Sequence, residues 1–168
     1  VNAQCRDYEF VAAALERLTD EERKSICVAT IGQCDRGAQH PEMLKISRLA
    51  EVDCRDGLLS EIELIERGSA CSVLLAPFRF DRPIGTFHGS GSFGDAIFLR
   101  RTLIMPRFAD TDEEFSDICQ YYDDIDGLAA ILRSVVSAPR VALSDSQIEP
   151  YRTDMVFAKL CDDLKLCD

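Results

Sequence analysis

From Ser69 to Phe108 the chain reads SACSVLLAPFRFDRPIGTFHGSGSFGDAIFLRRTLIMPRF, and the reading of this stretch decides the fold. Ser72 to Leu75 is a short apolar run closed by Pro77, too short for a helix of its own. Phe78 and Phe80 alternate with Arg79 and Asp81, the period-two signature of a half-buried strand. Ile97 to Met105 is rich in large apolar side chains. Between the runs lies Gly85 to Gly94, rich in glycine and serine, which frees the backbone for a tight or open loop. The pattern predicts a small antiparallel β-sheet around residues 72–105, its strands joined by that loop. The rest of the chain reads as short helices, so the predicted fold class is α+β, a predominantly helical single domain spanning 1–168.

Gly89, Gly91 and Gly94 are spaced as G-x-G-x-x-G. In dinucleotide folds this motif follows a strand and opens a helix, whose N-terminus holds phosphate. A strand is predicted after it here, which sets the motif apart from that use. GSGSFGDA is locally similar to the glycine loop of protein kinases. No lysine follows on the next strand, where Arg100 and Arg101 stand, and no HRD or DFG segment is present. A site at this loop would draw on His88 as a base, Ser90 or Ser92 as a nucleophile, and Arg100 and Arg101. Gly89-Ser90-Gly91 lacks the spacing of a nucleophile elbow, however.

Working outward, 46% of the 168 residues are apolar and 29% charged, the balance of a globular chain. Thirty acidic and 19 basic residues leave a formal net charge of −11. This speaks against nucleic acid and anionic membrane surfaces as partners, both of which call for a basic face. It suits a protein partner with a basic surface.

Eight cysteines occur, at Cys5, Cys27, Cys34, Cys54, Cys71, Cys119, Cys161 and Cys167, with no C-x-x-C pair. Two histidines and no close cysteine pair give no zinc pattern, and Asp124-Ile125-Asp126-Gly127 lacks ligands at the ends of a calcium loop. No metal or cofactor is expected. An even, dense cysteine set predicts disulfides and a secreted or periplasmic location. Were Cys27 and Cys34 on one helix, their Cα atoms would stand about 10 Å apart, beyond the roughly 7 Å a disulfide spans. A helical hairpin folded at Leu18 to Asp20 would instead pair Cys5 with Cys34.

The hairpin rests on an apolar face at Phe10, Val11, Ala14, Leu15 and Leu18, followed by a T-x-x-E capping box at Thr19 and Glu22. A second helix is predicted from Asp20 towards Gly32. A third starts at Pro41, with Met43, Leu44, Ile46, Leu49 and Val52 inward, and a fourth runs from Leu58 to a stop at Gly68. Thr111 and Glu114 form another T-x-x-E, predicting an acidic helix from Asp112 to Tyr122. Helices are also predicted over Leu128–Val136 and Pro150–Leu166, with a short strand at Val141–Leu143. Between Asp110 and Asp126 stand eight acidic residues and no lysine or arginine, whereas Arg79, Arg82, Arg100, Arg101 and Arg107 cluster in or beside the central stretch.

The functional expectation is a disulfide-stabilised acidic protein that binds another protein as an inhibitor, immunity protein or effector. Asp112, Glu113 and Asp117 would face the partner. The rival expectation is a small hydrolase or transferase with its site at residues 85–94. A third is an acidic structural subunit of a larger assembly.

Overall fold

A computed structural model of the chain describes residues 6–31, 39–55, 57–81, 91–138 and 141–164. Helix α1 (Tyr8–Glu16) begins where the Asp7 carboxylate accepts from Phe10 N at 2.9 Å. Helix α2 (Asp20–Lys24) opens on the Thr19–Glu22 box, both of whose hydrogen bonds form. It ends at Lys24, and the next residues form strand β1 (Cys27–Ala29). The second arm of the predicted helical hairpin is thus a five-residue helix followed by a strand. Ile26, Val28, Thr30 and Ile31 are β-branched and stiff at χ1, which disfavours a helix and suits a pleated surface.

Strand β1 pairs in parallel with β2 (Glu51–Asp53), Val28 opposite Val52, and α3 (Pro41–Ile46) makes the crossover. Val52, assigned to the third helix by its spacing, therefore lies on a strand. His40 caps α3, its Nδ1 accepting from Glu42 N at 3.4 Å. Helix α4 (Glu61–Ala70) opens on a Ser60–Glu63 capping box and continues through Gly68. A methyl group on Gly68 would collide with the Leu99 side chain, so this glycine serves close helix packing and not termination.

The central stretch corrects the predicted fold class. It contains β3 (Leu74–Leu75), then helix α5 (Gly91–Leu99), then β4 (Leu103–Pro106). Strand β5 (Cys119–Tyr122) follows, and the sheet order is β3-β4-β5 with both pairs parallel. The protein is mainly helical with two small all-parallel sheets, where an antiparallel sheet was expected. The physical reason lies in Ile97–Met105, which is two elements. Gly91, Gly94 and Phe98 are exposed at i, i+3 and i+7, while Ala96 and Leu99 are buried, a helical periodicity. All four β4 residues are buried, as a strand covered on both faces requires. Phe78 makes only an isolated antiparallel bridge, to Arg6.

The two faces of β3-β4-β5 carry separate cores. Ile104 and Tyr122 pack with α1, α3 and α6 (Ile125–Ser137), while Leu103, Met105 and Cys119 pack with α5 residues Ala96 and Leu99. Leu103, Ile104 and Met105 are fully buried, each contributing roughly 1.5–3 kcal/mol by leaving water. Helices α7 (Asp145–Ile148) and α8 (Thr153–Leu164) complete the described residues, joined by a 3₁₀ turn at Glu149–Tyr151. The segment from Val141 to Leu143 is irregular, Leu143 N donating to Arg100 O at 3.1 Å.

The expected disulfide framework is a second correction. No two described cysteines are at bonding distance. They are dispersed by the fold: Cys27 opens β1, Cys54 follows β2, Cys71 ends α4, and Cys119 is buried on β5. Burial pushes the Cys119 thiol up to about 12, so it behaves as a small apolar side chain, with Met105 Sδ at 3.7 Å. Cys161 lies on α8. Cys5, Cys34 and Cys167, and with them the expected Cys5–Cys34 pair, lie outside the described residues. The expectation of a secreted inhibitor draws on the dense cysteines as well as on the negative charge, and the described cysteines do not form the disulfides it needs.

Candidate functional site at the carboxyl edge of the parallel sheet

In a parallel β-α-β unit the crossover helix starts at the carboxyl end of the first strand. Helix α5 therefore opens at the edge where β3, β4 and β5 end. Its first turn holds Gly91 and Gly94, and a Cβ built on either would meet no other described atom within 4 Å. The free amides of a helix's first turn and its dipole favour anions at this position.

Arg6 is brought to the same turn by main-chain geometry. Its backbone bridges to Phe78, and Asp7 N donates to Pro77 O at 2.6 Å. Arg6 Nη2 then donates to Ser92 Oγ at 2.9 Å, while its guanidinium carbon lies 4.1 Å above the Phe78 ring. Arg79 braces this arrangement, with Nε donating to Arg6 O at 3.0 Å and Nη2 to Glu42 Oε1 at 2.9 Å. Asp95 stands one turn into α5. Burial raises its carboxyl pKa, and the charge of Arg6 opposes the shift. A carboxyl shifted upward beside a fixed cation can move a proton at milder pH than an ordinary aspartate.

Aromatic side chains border the edge. Phe80 is 84% exposed and meets Phe108 edge-on, centroids 5.3 Å apart. Phe93 on α5 packs on Phe115, and Phe115 on Tyr151, at 4.1 and 5.3 Å. Arg107, directly after β4, donates to Asp123, directly after β5, at 3.1 Å, pairs with Glu113 and lies over the Tyr121 ring.

Of the residues singled out for a loop site, only Ser92 is placed at this turn among the described residues. His88 and Ser90 lie outside the described residues. Arg100 and Arg101 stand at the other end of α5. Arg100 takes a left-handed conformation (φ 53°), and Arg101 N donates to Ala96 O at 2.9 Å while Arg100 N donates to Ile97 O at 3.2 Å. That is a Schellman termination, in which glycine usually holds the Arg100 position. Arg101 donates to Cys71 O, Ser69 O and Arg100 O at 2.9–3.0 Å, closing the end of α4. Both arginines are structural in this setting.

The predicted acidic helix is absent: turns occupy 114–118, and Cys119–Tyr122 is β5. Asp110 is only 8% exposed and accepts from Glu114 N, Phe115 N and the Tyr121 hydroxyl, so it ties the β4–β5 crossover together. The turn that Asp110 caps takes the place of the helix expected from Thr111 and Glu114. Glu113 and Asp123 share Arg107, Asp124 caps α6 through Gly127 N at 2.7 Å, and Asp126 pairs with Arg17 at 3.0 Å. Of the three expected partner-facing residues, Asp112 and Asp117 are exposed at the surface, and Glu113 is held by Arg107.

Sequence reasoning missed Arg6 and Asp95. Arg6 carries no sequence signal, since only the bridge to Phe78 brings it to α5. Asp95 was legible as the residue after the glycine motif, had the helix been recognised. Among the described residues no cluster of ligating side chains could hold a metal, and no helix is long and apolar enough to cross a membrane.

Comparison of the chain with known protein families, characterised proteins and solved structures gives no match. The fold is that of an α/β module whose three-stranded parallel sheet has helices packed on both faces.

Proposed function

We propose that this chain binds a small anionic ligand at the carboxyl edge of β3-β4-β5, as part of a transferase- or hydrolase-type α/β domain. The observation that carries this reading is the parallel crossover that sets the glycine-opened first turn of α5 beside Arg6. Open parallel sheets bind ligands outside the carboxyl ends of their strands where the strand order reverses; β3-β4-β5, in sequential order, supplies the carboxyl edge without that reversal. Helix α5 at Gly91 meets one requirement of the G-x-G-x-x-G motif, that it open a helix, while the preceding described strand, β3, ends at Leu75 and Gly89 lies outside the described residues. A phosphate group fits a site made of helix amides and one guanidinium.

The test is a titration with inorganic phosphate, pyrophosphate and nucleotides, read by calorimetry and thermal shift. At least one is expected to bind and to raise the melting temperature. Arg6→Gln is expected to weaken binding tenfold or more, about 1.4 kcal/mol, in a protein that still melts cooperatively. Absence of binding by every anion, or equal binding by the folded variant, would sink the proposal.

A second reading, association with a basic protein surface, is supported by the net charge of −11 and by the exposed Asp112 and Asp117. It has less support than an acidic helix would have supplied, because five of the eight acidic side chains between Asp110 and Asp126 are engaged within the chain.

A further inference from the structure

We draw no further inference here: the strongest candidate, the apolar surface of α8 carried by the exposed Met155, Val156 and Phe157, has nothing in the structure to show what covers it.

Discussion

The two ends of helix α5 differ in how their polar groups are used. At the C-terminal end each group has a local partner: the Schellman bonds close the backbone, Arg101 takes three carbonyls, and Arg100 pairs with Asp145 at 2.7 Å. At the N-terminal end two glycines leave space, and an arginine from the start of the chain is held at the same turn. The first arrangement favours stability, because buried or half-buried carbonyls are satisfied. The second places two glycines where an added Cβ would meet no other described atom within 4 Å. Both ends carry arginines, so charge alone does not distinguish a site from a cap.

Breaking the fixed end is expected to have the largest effect on stability. Arg101→Ala leaves the Ser69 and Cys71 carbonyls without their donor, at a cost of about 1–3 kcal/mol, measured by urea unfolding, with anion binding unchanged. A variant as stable as the parent would mean that water replaces the guanidinium there at no loss. At the open end the effects should separate the other way. Gly94→Ala adds a methyl group where no described atom stands within 4 Å, so stability should rise by roughly 0.5–1 kcal/mol from helix propensity. Anion affinity should fall tenfold or more, and unchanged affinity would place the ligand elsewhere.

A smaller change is expected at Arg100, whose left-handed backbone strains any residue with a Cβ. Arg100→Gly relieves that strain and loses an exposed ion pair worth about 0–1 kcal/mol. The net gain should be near 0.5 kcal/mol, and a marked loss of stability would show the Asp145 pair to be stronger than exposure allows. The smallest change is the double variant Asp112→Lys, Asp117→Lys, with stability shifted within about 0.5 kcal/mol per site. Anion titration should be unaffected by it. If the protein-binding reading holds instead, association with a basic partner should slow, and its salt dependence should weaken, because exposed charges are screened over about 8–10 Å.

Much of the helix layout was legible because its signals are local. The Thr19–Glu22 box and the proline start at Pro41 involve contacts within a few residues, and each forms as written. The same kind of signal failed at Thr111–Glu114. There Asp110, a neighbour one residue away, captured the amides of Glu114 and Phe115 and turned the chain into β5. Ile26–Ile31 has a β-branched composition that suits the half-buried strand β1, while the capping box just before it is a helix signal.

By itself, the sequence determined the charge excess, the apolar segments available for burial, and the glycine spacing at 89, 91 and 94. The tertiary structure alone decided what these became. Strand direction is not encoded in an apolar run; it depends on what spans the connection, and α5 spans this one, which makes β3 and β4 parallel. Two glycines cost a helix roughly 1 kcal/mol each, so local propensity argues against α5. Burial of Ala96 and Leu99 against the sheet and Gly68 overrides that cost. Arg6 reaches Ser92 across 86 positions of sequence, a distance over which no periodicity carries information, and only the folded chain places it at the edge of the sheet.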